Sequence, residues 1–326
     1  MTDPGMAAIL DRFSEAKVMI AGDLWLEQCG VGVVAEDARS ELKVRGTQWV
    51  ARAGGAGAVA CAAAAMGARA WVAGVVGQDA RAGELLRALG AWHVDTFAVV
   101  SGSDHCTGES LALRLEGSSA PWSALEIEIN PAPPLAAEPA QGMLGHIEAI
   151  IGQMDVMTIL VFKSAPAPEV VEKLARLAGA RGRPVVGGAT AVTAEGRGGA
   201  FALPPCDVAV LGPPEHDEAP APDDVVRDLM TRVGHKALIA ISPDWGVSLH
   251  KEEALEGELV VKPKRTGRGA WQSFMAGAAI GMALGADLLA AARIGAAGAT
   301  AAAASCGFVT LDDIRRELAS GAPEAP

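Results

Sequence analysis

The chain has 326 residues, 50% of them hydrophobic, and it carries 27 Lys and Arg against 39 Asp and Glu. A chain of this length and apolar content buries a large core, so we expect a globular protein of one large or two ordinary domains. The net charge of −12 repels phosphate backbones and anionic lipid. This charge argues against nucleic acid or a membrane surface as a partner.

Cysteine and histidine usage predicts neither a disulfide framework nor a metal site. The five cysteines lie far apart, without the close pairs of a zinc site, and the six histidines lack metal-ligand spacing. Residues Met1 to Asp11 lack the basic and apolar regions of a signal peptide. The apolar stretch from Phe274 to Cys306 is rich in Ala and Gly and predicts buried helices rather than a membrane span. We expect a cytoplasmic protein.

Apolar runs alternate with Ala- and Leu-rich helical segments along the chain. The first are a strand at Val18 to Ala21, a helix from Ala56 to Met66 and a strand from Ala70 to Val76, and the alternation repeats from Met157 to Ser242. This order is typical of parallel strands joined by crossover helices, followed here by a helical C-terminal part. The sequence predicts an α/β fold with a mostly parallel central sheet flanked by helices.

Two segments instead show the strict alternation of half-buried strands. Leu111 to Leu115 and Leu125 to Ile129 place an apolar residue at every second position. We predict a small antiparallel β lid over one edge of the main sheet, with strands within about 27–50 and 105–130. The domain prediction is one domain over residues 1–320 and a disordered tail at 321–326.

Two glycine clusters precede predicted helices. Gly54 and Gly55 open an Ala-rich helix, where backbone amides can approach a ligand, although a tight turn with close helix packing explains them better from the residues alone. The second cluster, Thr266 to Gly269, leads into a long apolar helix. It contains Arg268 and directly follows Arg265. Unpaired amides, the helix dipole and these cations predict an anion site.

A third turn runs from Ser242 to Gly246 after a predicted strand. It can cradle a nucleotide or merely connect a hairpin. A dinucleotide enzyme is a weaker interpretation, because no Gly-x-Gly-x-x-Gly follows a strand with an acid about twenty residues further on.

Taken in order, these elements resemble the ribokinase/PfkB family of carbohydrate kinases, and within it the heptose-7-phosphate kinases. Gly22 to Glu27 is similar to the family's opening strand, with its Gly-Asp and its sugar-contacting acid. Ala53 to Ala60, followed by Met66 to Ala68 and Gly74 to Asp79, is similar to the Gly-Gly signature and the strand after it. Gly267 to Gly269 stands where the family has its Gly-Ala-Gly anion hole.

The resemblance implies a ribokinase-like fold and, in an active member, phosphoryl transfer from ATP with Mg²⁺ to a sugar. It also implies two groups of contact residues. They are Asp23, Glu27, Gly54 and Gly55 on the sugar side, and Ser242, Gly246, Thr266, Gly267, Arg268 and Gly269 on the nucleotide and anion side.

The departures from the family pattern fall on the chemistry. In the family, an Asp directly after the anion-hole glycines takes the proton from the sugar hydroxyl, and here that position is Ala270. The asparagine of the Gly-Gly motif is Ala58. Further polar motifs of the family are replaced at Phe162 to Ser164, Gly187 to Ala189 and Pro214 to Asp217, and Ser242 replaces the glycine of the nucleotide turn.

These losses suggest a non-catalytic homologue that binds a sugar phosphate or nucleotide, or serves as a partner subunit. The alternative is an active ATP-dependent carbohydrate kinase, similar to the heptose-phosphate kinases, with a displaced base. The lid strand at Leu111 to Leu115 also predicts a homodimer, as in heptose-type kinases, or another protein partner.

Overall fold

The computed structural model describes residues 4–34, 44–115, 125–130, 137–162, 168–189, 202–212, 226, 228–241, 246–251, 254–261, 269–304 and 308–320. The strands are β1 Lys17–Gly22, β2 Leu24–Val34, β3 Val44–Gly55, β4 Arg69–Gly77, β5 Asp95–Gly102, β6 Gly108–Leu115, β7 Leu125–Asn130, β8 Val156–Val161, β9 Val185–Ala189, β10 Val208–Leu211, β11 Ala237–Ile241, β12 Val247–Lys251 and β13 Ala254–Val261. The α-helices are α1 Pro4–Asp11, α2 Ala56–Ala65, α3 Ala80–Gly90, α4 Ala137–Ile150, α5 Pro168–Gly179, α6 Ala270–Ala283, α7 Leu288–Ala304 and α8 Leu311–Ala319.

A central sheet forms the frame of the molecule, with the strand order β13-β12-β11-β10-β9-β8-β1-β4-β5. All pairs from β11 to β5 are parallel, and β12 and β13 add an antiparallel edge. Every residue of β8 is buried, because helices cover both faces of the sheet. The predicted α/β fold with a mostly parallel central sheet is confirmed.

A second sheet of four strands, in the order β3-β2-β6-β7, forms the predicted lid. Strand β2 continues from β1 with only Asp23 between them. The β2–β3 and β6–β7 pairs are antiparallel, whereas β2 and β6 run parallel. This parallel pair could not be expected from a hairpin pattern, because β4, α3 and β5 lie between the two strands in the chain.

The two faces of the lid have different environments. Leu24 and Leu26 point from β2 into the core and are fully buried. Trp25 and Glu27 alternate with them and point to the opposite face. The lid therefore joins the main core at its base and presents Trp25 and Glu27 on its other side.

Helices α6 and α7 pack unusually closely, and glycine makes this possible. A Cβ atom on Gly295 would lie 2.9 Å from the carbonyl oxygen of Phe274, and one on Gly298 would lie 2.9 Å from that of Ser273. These two helices account for most of the apolar stretch after Phe274. In the part of the chain that the structure describes, no helix has the length and apolar character needed to cross a membrane.

His235 makes the stability of this fold sensitive to acid. The side chain is 2% exposed, and its Nδ1 accepts a hydrogen bond from the Cys206 amide at 3.2 Å. Burial lowers the pKa of His235 from 6.5 to about 4. The neutral imidazole is thus favoured in the folded chain, and its contribution is complete above pH 6.5 and lost as the pH falls toward 4.

We expect His235 to reduce the free energy of unfolding by about 2 kcal/mol between pH 7.5 and pH 5. Urea unfolding at the two pH values measures this loss. The control is His235→Asn, whose side-chain oxygen can accept from the same amide but does not titrate. An equal loss in the wild type and in the variant would contradict this assignment.

Candidate functional site

Asp23 lies at the carboxyl edge of the central sheet, where α/β proteins bind their ligands. It connects β1 to β2, and its side chain is half-buried. Its carbonyl oxygen accepts a hydrogen bond of 2.9 Å from the amide of Ala56, the first residue of α2. This bond holds the start of the lid against the start of the helix.

The Gly54-Gly55 turn ends β3 and begins α2. Gly55 has φ of 60° and ψ of −134°, a conformation that L-residues rarely adopt. A Cβ atom on Gly55 would lie 2.2 Å from the carbonyl oxygen of Asp23. Glycine is therefore required here by the close backbone approach, and the structure brings Asp23, Gly54 and Gly55 together.

Glu27 lies further along β2 and is half-buried. The Cys29 thiol donates a hydrogen bond to its Oε2 at 3.4 Å, and Arg52 is its register partner on β3. Asp23 and Glu27, the two acids predicted on the sugar side, thus both lie near the start of the lid, and Trp25 lies between them in the chain.

A cleft opens beside Asp23, between the strand ends of β1, β4 and β8 and the helices α4 and α5. His105 is the second polar residue in its lining, which otherwise consists of apolar side chains and backbone. Burial lowers the pKa of His105, and the nearby Asp79 only partly opposes this effect. The cleft therefore combines a carboxylate with an imidazole whose neutral form is favoured.

Asp79 organises the neighbouring loop, a role that the sequence did not reveal. Its Oδ1 accepts from the Ala82 amide at 2.9 Å and caps α3, and its Oδ2 accepts from the Thr107 amide at 2.8 Å. The Thr107 hydroxyl in turn accepts from the Gly77 amide at 3.0 Å. Burial acts to raise the pKa of Asp79, but these amide hydrogen bonds outweigh it and the pKa lies below its usual range. Asp is a residue type that often caps helices, and this was the available signal at position 79.

Arg81 and Glu109 form an ion pair between α3 and lid strand β6. The Glu109 side chain is mostly buried, whereas Arg81 is partly exposed. Sequence reasoning did not single out either residue, because they are distant in the chain. The pair links the lid to the main domain at β6.

The predicted anion turn is described from Gly269 onward. Gly269 precedes α6 with φ of 83°, and its carbonyl oxygen accepts from the Ser273 amide at 2.9 Å. Ala270 is the first residue of α6 and is fully buried. Gly246 is buried just before β12. The other predicted residues of this group, Ser242, Thr266, Gly267 and Arg268, lie outside the described residues.

The starts of α2 and α6 lie at the same edge of the central sheet. Trp271, in the first turn of α6, lies 3.3 Å from where a Cβ atom on Gly212 would be, and Gly212 follows β10. Asp23 follows β1, which is three strands away from β10. Helix α6 itself packs against α2 and contacts β1 and β8.

The described residues of this edge offer limited chemistry. Ala270 has no group that accepts or donates a proton, and the helix start beside it offers backbone amides and a dipole for an anion. Across the described ranges, no group of three or more His, Cys, Asp or Glu side chains could hold a metal ion. The described arrangement can bind polar and anionic groups at its two ends.

Residues 29–186 match the family described as pfkB family carbohydrate kinase. Slightly less than half of the chain is therefore similar to this family. The match includes most of the lid, the Gly54-Gly55 turn and the Asp79 network. The family resemblance predicted from the sequence is therefore confirmed.

A curated relative is the bifunctional protein HldE of Pelobacter propionicus, which is 28% identical over 328 residues. The alignment covers 95% of this chain but only 64% of that protein. The chain thus spans under two thirds of the length of the relative that it matches.

Solved structures share the fold along most of their length. A putative ribokinase from Agrobacterium tumefaciens has a TM-score of 0.71 and 18% identity, with 94% of this chain and 98% of that chain covered. Arabidopsis thaliana ribokinase complexed with ribose and ATP has a TM-score of 0.65 and 14% identity, with 93% and 99% covered. At this level of identity the likeness concerns the fold, and it is ribokinase-like.

We expect Gly55→Ala to destabilise the chain far more than Gly67→Ala. Both glycines have positive φ, of 60° and 99°, but a Cβ atom on Gly67 would meet nothing within 4 Å. Gly67→Ala should therefore cost only the backbone strain, about 1 kcal/mol. Gly55→Ala adds a clash with the Asp23 backbone, for which we expect about 2 kcal/mol more. Chemical denaturation measures both, and equal losses would contradict a rigid contact between Asp23 and Gly55.

Proposed function

We propose that this protein is a non-catalytic carbohydrate-kinase homologue that binds a sugar phosphate or a nucleotide. The observation that carries this proposal is Ala270. It is fully buried at the first position of α6, where the family resemblance places the Asp that accepts the sugar proton. A methyl group at this position supplies no general base.

The backbone features of a binding site support the same proposal. The Asp23–Ala56 hydrogen bond at the start of α2 and the left-handed Gly269 before α6 both remain. Ala58, in the first turn of α2, is a second polar family position that has become apolar and is 8% exposed. The scaffold is thus retained while side-chain chemistry is reduced, which favours binding over phosphoryl transfer.

The second candidate is an active ATP-dependent carbohydrate kinase with a displaced base. The conformation of Gly269, which still begins a long helix at the sheet edge, is the observation in its favour. Phosphoryl transfer depends mainly on positioning and electrostatics, and the loss of a general base costs about 10² to 10⁴ in rate. This candidate requires binding of Mg·ATP.

The two candidates differ in turnover and in ligand response. We expect no ADP release above background when the chain is mixed with Mg·ATP and a panel of sugars and sugar phosphates. We also expect a sugar phosphate or a nucleotide to raise the midpoint of thermal unfolding. A ligand at a hundred times its dissociation constant stabilises by about 2.7 kcal/mol.

Sugar-dependent ADP release that Arg268→Glu abolishes would refute the non-catalytic proposal. Calorimetry that detects no binding of Mg·ATP or Mg·ADP at millimolar concentration would exclude the active kinase. If no sugar phosphate or nucleotide changes the melting curve, the protein does not bind these ligands, and a role as a partner subunit is favoured instead.

We also propose that the chain forms a homodimer through the end of its lid that carries Trp49, Ile127 and Ile129, on the face to which Leu24 and Leu26 also point. Trp49 and Ile127 are 49% and 41% exposed, and Ile129 is 45% exposed. The strand registers place Trp49 opposite Gly30, and Ile127 opposite Leu111, on one face of the sheet. An apolar surface of this kind on a lid is typical of a protein contact.

Light scattering tests this assembly. We expect a dimer mass for the wild type and a monomer mass for Trp49→Glu, because a carboxylate on the paired face would be desolvated at the contact. The matched control is Trp92→Glu, which changes a tryptophan that is 39% exposed elsewhere on the surface. A monomeric wild type would refute the homodimer.

A further inference from the structure

The side chain of Trp25 lies directly on the Gly54-Gly55 turn. A Cβ atom on Gly54 would be 2.1 Å from the indole Nε1, and one on Gly55 would be 2.5 Å from Cζ3. The five-membered ring therefore covers Gly54 and the six-membered ring covers Gly55. Both glycines are buried in consequence, although they end a strand at the ligand-binding edge of the sheet.

The surrounding strands allow the indole to lie in this position. The register partners of Trp25 are Gly54 on β3 and Gly108 on β6, so neither neighbouring strand presents a side chain beside it. Phe162, which follows β8, meets the indole edge to face, with ring centroids 5.3 Å apart and planes at 89°. Backbone on one side and an aromatic ring on another hold the side chain in place.

The indole thus fills the floor of the predicted sugar site. Asp23 and Glu27, two residues away on either side, are the acids that would accept hydrogen bonds from sugar hydroxyls. A sugar ring that bonded to both acids and lay on the glycine backbone would overlap the indole.

We infer that Trp25 is the specificity-determining residue of this site, because its indole excludes a sugar ring from the Gly54-Gly55 floor. The inference rests on the proposed function, since it concerns the ligand that the same site binds. It predicts that the wild type binds weakly those simple sugars and sugar monophosphates that would lie on this floor, so that the ligand of the proposed function is a nucleotide or a sugar phosphate that does not need the floor.

The test compares the wild type with Trp25→Ala and Trp25→Phe by calorimetry. The probes are ribose, fructose 6-phosphate and sedoheptulose 7-phosphate. We expect at least one probe to bind Trp25→Ala at least tenfold more tightly than the wild type. Trp25→Phe keeps an aromatic contact with Phe162 and should show a smaller gain for the same probe. This variant keeps the test valid if Trp25→Ala fails to fold.

Trp92→Ala is the matched control. Trp92 also meets a phenylalanine, Phe308, edge to face, and the two ring centroids are 4.8 Å apart. Phe308 follows α7 and lies outside the site. This variant should bind the probes as the wild type does. No gain in either Trp25 variant would overturn the inference, and so would weaker binding, which would make the indole a ligand contact rather than an obstruction.

The inference and the proposed function fail in different ways. Sugar-dependent turnover of Mg·ATP by the wild type refutes the non-catalytic proposal, whatever the Trp25 variants bind. A wild type that binds nucleotide without turnover, together with Trp25 variants that gain nothing, refutes only the role of Trp25.

Discussion

The approach of the Gly55 backbone to the carbonyl oxygen of Asp23 determines how the two sheets of this protein are joined. The Ala56 amide donates to that oxygen at 2.9 Å, and Gly55 leaves no room for a side chain. The same contact joins the end of β1, the start of β2, the end of β3 and the start of α2. The lid therefore cannot tilt at this junction without breaking a backbone hydrogen bond in the core. The ion pair of Arg81 and Glu109 holds the other side of the lid and is partly exposed, so it contributes less.

Much of the frame could be predicted because it depends on local patterns. Runs such as Val156–Val161 are apolar throughout since both faces of β8 are covered, and the alternation at Leu111 to Leu115 lies within strand β6. The sequence left open whether Gly54 and Gly55 serve a ligand or a tight turn. The structure shows that the turn alone requires glycine at position 55, so a glycine there carries no information on ligand binding.

The features that sequence reasoning missed depend on distant parts of the chain. Trp25 covers the glycine turn because its register partners on both sides are glycines, and strand register cannot be read from one strand. Asp79 is held by Thr107, which follows β5, and the parallel pairing of β2 with β6 depends on the elements between them. On the anion side, the part of the site from Thr266 to Arg268 lies outside the described residues and stays a prediction.

Ala270 and Trp25 both lie at the carboxyl edge of the central sheet, and they have a common physical consequence. A carboxylate at the first position of α6 would be stabilised by the helix dipole. At this fully buried position it would also lose its hydration, and this free-energy cost is not repaid unless a bound ligand interacts with the charge. An open glycine floor likewise leaves apolar and backbone surface without contacts until a sugar covers it. Ala270 avoids the cost of burying a carboxylate, and the Trp25 indole covers the glycine surface that would otherwise lack contacts. Both residues therefore favour the stability of the unliganded chain over functions that an active kinase site needs, which is the direction expected where selection for phosphoryl transfer has been relaxed.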